Sequence, residues 1–186
     1  MSRPDRKASA EPEGVIRKRR RKLKEREDLK TLLFKILVLI AAVVVMFGVV
    51  FGITPMKGGD MEPKISSGDL LLYYRLEKDF ARNEVVLMDR DGNQYAGRII
   101  AMPGEVIEIT PTGTVSIDGN QIVETDIFYE TKPIEGSSRY PLTLGENEYF
   151  ILADKRDTAK DSRYFGPVKG KEIKGKVITS VHRTGL

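Results

Sequence analysis

The stretch Gly58-Gly59-Asp60-Met61-Glu62-Pro63-Lys64-Ile65-Ser66-Ser67-Gly68-Asp69 decides how the rest of the chain is read. Its Gly, Pro and Gly-Asp punctuation predicts a constrained loop that enters a strand at Leu70. Before it lies an apolar run, and after it come short segments rich in Val, Ile, Leu and Tyr. The loop therefore divides an apolar leader from a strand-rich body.

On the leader side, residues 36–53 form 18 positions without a charge, preceded by Leu32-Leu33-Phe34 and Lys35. At 1.5 Å per residue a helix over 32–53 is long enough to cross a hydrocarbon core of roughly 30 Å. Lys35 sits near one end, where its stem can reach the headgroups. A cleaved signal peptide is the rival reading. The run is longer than an h-region of roughly 7 to 15 residues, however, and Thr54-Pro55-Met56-Lys57 offers no small-x-small cleavage site. An uncleaved anchor is expected.

The formal charge of +4 is unevenly spread. Residues 1–35 hold 13 Lys and Arg against 6 Asp and Glu, leaving 18 against 21 for the remainder. The basic excess is thus a property of the N-terminal tail, and the block Arg17-Lys18-Arg19-Arg20-Arg21-Lys22-Leu23-Lys24 reads as a flank that keeps residues 1–31 on the cytoplasmic side. A nucleic-acid patch is the weaker reading of that block, and no nucleic-acid partner is expected. Residues 1–26 cannot bury a core, so disorder or a frayed helix is expected there. The chain has no Cys and a single His, His182, which removes thiolate chemistry and makes a His-based triad or metal cluster improbable. No metal or cofactor is expected.

Residues 54–186 read as mostly β. Segments 70–76, 84–89, 94–101, 106–109, 148–153 and 172–181 are short, apolar and bounded by turn residues. Asp91-Gly92 and Asp118-Gly119 mark two hairpins. Helical periodicity extends to no more than a turn or two around residues 77–82, and residues 129–140 read as a long irregular loop. The predicted architecture is a mostly β domain of coiled sheets or barrel-like closure, following one N-terminal transmembrane helix.

Two further stretches accompany the opening loop. Tyr95-Ala96-Gly97-Arg98-Ile99-Ile100-Ala101-Met102-Pro103-Gly104-Glu105 reads as a strand ending in a turn, and residues 153–167 place Asp154, Arg156, Asp157, Asp161, Ser162 and Arg163 among small residues. In order and spacing the three resemble the sequence boxes of type I signal peptidases. The resemblance implies a β-rich catalytic domain and a peptide cleft around Asp60, Met61, Pro63, Gly97 and Arg98. It also implies a structural box of Asp154, Arg156, Asp157, Asp161, Ser162 and Arg163 whose charge-assisted hydrogen bonds pin loops beside that cleft. Contact of Met56 or Met61 with the bilayer surface is a minority reading that the resemblance suggests.

Ala153 and Lys155 depart from the family pattern in the third box, and two further departures fall on the catalytic pair. Where the first box has a nucleophilic Ser before Met, this chain has Asp60; where the second has a Lys before Arg, it has Gly97. A hydroxyl attacks an amide only if a base removes its proton, and a Lys serves when burial lowers its pKa. Gly97 has no side chain and Arg98 stays protonated. Asp60 as nucleophile would form an anhydride from an amide, an uphill step. Ser66 or Ser67 as nucleophile, and an acid pair of Asp60 with Asp161 or Asp154 sharing a proton, are the remaining rescue schemes.

The expectation drawn from these departures is a chain that is not an enzyme. It would be a membrane-tethered assembly factor or chaperone that holds secreted proteins, pilin subunits of Gram-positive bacteria in particular, beside a sortase. The alternative is a signal peptidase with a non-standard catalytic group. Either way the resemblance implies a single-pass cell-membrane protein with its C-terminal domain outside.

Overall fold

A computed structural model describes residues 12–124, 127–136 and 138–182. The chain divides into two compact units, Met1–Val45 and Met46–Leu186. The first is one helix, α1 (Pro12–Val45), whose polar half carries exposed Arg21–Glu25 and Lys30–Glu27 pairs at 3.0 and 2.9 Å. The helical stretch Arg20–Val50, which includes a π-helical turn at Met46–Val50, is long and apolar enough to cross a membrane. The chain becomes extended at Phe51, so the expected helix to residue 53 ends early. An unbroken apolar run suits a spanning helix and a buried strand equally, which leaves its end unmarked.

The second unit is built from eleven strands: β1 (Phe51–Pro55), β2 (Leu70–Tyr74), β3 (Val85–Arg90), β4 (Asn93–Ala101), β5 (Val106–Ile109), β6 (Val115–Ile117), β7 (Asn120–Gln121), β8 (Leu142–Thr143), β9 (Glu148–Leu152), β10 (Val168–Lys169) and β11 (Ile173–Val181). Seven form one sheet in the order β1-β2-β11-β3-β4-β9-β10, and four form another in the order β7-β6-β5-β8. Every pairing is antiparallel. The mostly β class is as the sequence predicts, but the sheets stay open and do not form a closed barrel among the described residues. The helix expected near residues 77–82 is irregular chain; the short helix is α2 (Ser162–Phe165) instead, capped by the Asp161 carboxylate on the Arg163 N–H.

Both predicted hairpins form. The β3–β4 turn places Asp91 and Gly92 at φ 52° and 75°, and the β6–β7 turn places Asp118 and Gly119 at 50° and 78°. This is the pair of positive angles that favours Asp-Gly between twisted strands.

Three apolar clusters fill the unit. One joins β4 and β9 to the smaller sheet through Ile100, Ile107, Leu144 and Phe150. A second lies on the larger sheet around Val86, Ile99, Ile151 and Val168. The third holds Met56, Met61, Ile65, Leu71, Tyr73, Leu87 and Ala96, and it anchors the Asp60 loop onto the sheet. Met56 and Met61 are 5% and 0% exposed, which speaks against the minority reading that either meets the bilayer surface. They are the apolar anchors that hold the loop down.

Candidate active site

The loop between β1 and β2 is closed at its base by backbone bonds. The Met56 N–H donates to the Asp69 carbonyl at 2.7 Å, the Gly68 N–H donates to the Met56 carbonyl at 2.9 Å, and the Ser66 N–H donates to the Asp69 carboxylate at 2.9 Å. His182 Nδ1 lies 2.7 Å from the same carboxylate. Ser66 and Ser67 thus belong to the turn that closes the loop. Asp60 rides at its far end, partly exposed, while Met61 beside it is sealed in the core and Pro63 is exposed. The cleft role expected of Met61 is therefore one of support from beneath.

The Asp60 carboxylate has no hydrogen-bond or ion-pair partner among the described residues. Its pKa is raised above the ordinary Asp value, first by burial and then by the charge of Asp161; Glu62 adds to this and Lys155 opposes it. Lys155 ties the loop to the third box, since its backbone N–H donates to the Asp60 carbonyl at 2.9 Å and its Nζ donates to Glu62 Oε2 at 3.0 Å. That contact raises the Lys155 pKa, keeping the amine an ammonium at neutral pH. Lys155 stands where the family pattern has Asn, and its closeness to Asp60 across so many residues of sequence was not readable beforehand.

The second box lies on β4. From Val85 to Arg90, β3 pairs with Asn93–Arg98. On the other side of β4, β9 pairs with Arg98, Ile99 and Ala101. Residues 93–97 of β4 therefore have a strand partner on one side only, and Gly97 marks where the open edge begins. Thr54 of β1 bonds Gln94 at 3.1 Å, which brings the first strand to this edge. Gly97 is buried. A Cβ there would lie 2.5 Å from Ile151 Cγ2 and 3.1 Å from the Leu152 carbonyl oxygen, so the space a larger side chain would need is filled by Ile151.

The third box is dense in arginine–carboxylate contacts. Arg98 holds Asp154 by two bonds, at 2.9 and 2.6 Å, and reaches the Asn83 carbonyl at 2.9 Å. Arg163 holds Asp161 by two bonds at 2.9 Å and donates to the Lys132 carbonyl at 3.3 Å. Arg156 grips both Glu124 oxygens and the Thr131 hydroxyl. Ser162 is fully buried and accepts the Ile151 N–H at 2.9 Å. Asp157 is the exception: it is exposed and takes only a long hydroxyl contact from Thr158. The acid pair of Asp60 with Asp161 or Asp154, one of the rescue schemes, does not form among the described residues, because each of those partner carboxylates is already held by an arginine.

This arrangement of loop, open strand edge and pinned box coincides with the span that a known family covers. A family model described as "Signal peptidase, peptidase S26" matches residues 29–182. The chain belongs to that family. It is 28% identical over 172 residues to signal peptidase IB of Staphylococcus aureus (strain Mu50 / ATCC 700699), covering 80% of this chain and 88% of that protein. It is 26% identical over 132 residues to signal peptidase I of Bacillus licheniformis, covering 64% of this chain and 70% of that protein. Among solved structures, a signal peptidase I from Enterococcus faecalis V583 shares 28% identity, with 55% of this chain and 98% of that chain covered and a TM-score of 0.43.

These relatives correct the expectation that the chain is not an enzyme: the proteins this family member is similar to are named as peptidases. Asp60 and Gly97 exclude a Ser–Lys pair at those two positions and nothing wider. What the site offers is a partly buried carboxylate with unused lone pairs, an ammonium beside it, and a strand edge that can accept an extended peptide by main-chain pairing.

Proposed function

We propose that this protein is a signal peptidase with a non-standard catalytic group, one that cuts exported chains at the membrane surface with Asp60 serving as general base. The observation that carries this reading is the Asp60 carboxylate itself, partly buried, raised in pKa and without a partner among the described residues, within a chain of the signal peptidase family. A carboxylate with a raised pKa is a stronger base, and no described residue holds its lone pairs.

An extended segment of the client chain would add to the open edge of β4 at residues 93–97. Asp60 takes a proton from a water molecule as the water oxygen bonds to the scissile carbonyl carbon. The negative charge that develops on the carbonyl oxygen faces the Lys155 ammonium. Asp60 then passes the proton to the leaving nitrogen as the C–N bond breaks, giving a carboxylate and an amine. This route needs neither a hydroxyl at position 60 nor an amine at position 97.

The apolar helix serves as a single-pass membrane anchor. The basic block at residues 17–24 supports a cytoplasmic tail, with the domain outside. Secreted proteins are the clients, and pilin subunits handled beside a sortase are the first class to test. The test is incubation of the full-length protein in vesicles with a pilin precursor or a model preprotein, followed by N-terminal sequencing. Cleavage at one bond that Asp60→Asn removes supports the reading; cleavage that Asp60→Asn leaves intact refutes it.

A further inference from the structure

Beside the cleft, the chain segment 128–134 and the third box enclose a pocket of about 610 Å³. Its walls are aromatic: Phe128 is 78% exposed and Tyr164 is 53% exposed, with Tyr129 between the pocket and the catalytic cluster. Its lining includes Arg163, whose side chain is 2% exposed, and Arg156, whose side chain is wholly buried. A guanidinium carries five N–H donors. Arg163 uses three, on Asp161 and the Lys132 carbonyl. Arg156 uses four, on Ala153, Glu124 and Thr131. Two donors of Arg163 and one of Arg156 are thus without an acceptor among the described residues.

The rim adds a cation. Lys132 is paired with Glu130 at 2.7 Å, but Lys160 lies over the Tyr164 ring at 5.1 Å and has no carboxylate partner among the described residues. Asp157, the other acidic residue of the lining, exerts its charge on Lys155. The pocket adjoins the site at that same point, because Tyr129 acts on the Lys155 ammonium and the Lys155 N–H holds the Asp60 carbonyl.

We infer that this pocket is a specificity site for an acidic residue of the client chain, flanking the segment that lies against β4. Its carboxylate takes the spare donors of Arg163 and the charge of Lys160, while the flanking apolar atoms lie on Phe128, Tyr129 and Tyr164. This rests on the proposed handling of exported chains, and it adds which side chain near the cut is read. Two carboxylate oxygens suit a guanidinium fork, whereas an amide offers one acceptor and no charge.

The test uses the full-length protein in neutral-lipid vesicles and fluorescent peptides spanning the cut, with Asp, Asn or Lys placed in turn at each position flanking the bond. Kd is measured on Asp60→Asn protein and kcat/KM on wild type. At one position Asp should bind about tenfold more tightly than Asn, as one added charge-assisted contact predicts. The exposed substitution Lys160→Glu should erase that preference in Kd. Equal binding of Asp and Asn peptides at every position, or a preference that Lys160→Glu leaves unchanged, would overturn the inference. An Asp preference in Kd without any cleavage by wild type would uphold the pocket and refute the proposed peptidase chemistry; cleavage without the preference would do the reverse.

Discussion

Asp161 and Asp60 are carboxylates close enough for the first to raise the pKa of the second, yet they are held in opposite ways. Asp161 is 1% exposed and accepts from the Arg163 backbone, from its guanidinium at both oxygens, and from the Ala153 N–H. The Asp60 carboxylate accepts from no described residue. The difference separates structure from chemistry. A carboxylate saturated with donors has no lone pair to offer a substrate and fixes the loops around it, whereas one that is partly desolvated and unclaimed is ready to take a proton.

The contrast is broken most severely at Asp161. Asp161→Ala leaves a buried guanidinium without its counter-ion, which should cost about 3–5 kcal/mol of stability by denaturant unfolding. A loss below about 1 kcal/mol would mean that the third box is not a pin. Gly97 comes next: Gly97→Ala drives a methyl into Ile151 and toward the Leu152 carbonyl, with an expected cost of about 1–3 kcal/mol. For the same reason Asp60→Ser with Gly97→Lys should lose stability and gain no Ser–Lys activity.

Asp60 itself should show in the pH dependence of unfolding. Its folded pKa lies above the unfolded one, so the native state holds this proton more tightly. The resulting stability is fully present below the unfolded pKa, about 3.9, and is lost as pH rises through the raised folded value. Wild type should therefore lose ground to Asp60→Asn across that window and run parallel to it above. The smallest effect is expected at Tyr140. Its hydroxyl is buried without a partner among the described residues, and burial raises its pKa. Tyr140→Phe should leave thermal stability unchanged or raise it by up to about 1 kcal/mol.

Much of the fold was legible because β-hairpins announce themselves locally. Asp-Gly pairs at two turns and alternating apolar runs located β3 to β6, β9 and β11 within a residue or two. What escaped was nonlocal or too short. The strand at β1 hides inside the apolar run, β8 and β10 are two residues each, and no pattern marks Met56 and Met61 as core rather than surface. At the site, the third box showed a density of Asp and Arg but not which of them pair. The filling of the Gly97 position by Ile151, the approach of Lys155 to Asp60, and the pocket beneath residues 128–134 all join segments far apart in sequence. The two departures at Asp60 and Gly97 were visible at once, and it was their reading as loss of enzyme function that the named relatives overturned.

The account stands or falls on Asp60 acting as a base. The most direct measurement is single-turnover cleavage of a preprotein by full-length wild type and Asp60→Asn, compared in the same vesicles by mass spectrometry of both product fragments. The account predicts one specific cut by wild type, slowed about a hundredfold or more in Asp60→Asn, as loss of a general base implies. Equal rates in the two proteins, or no cut by wild type, would contradict it.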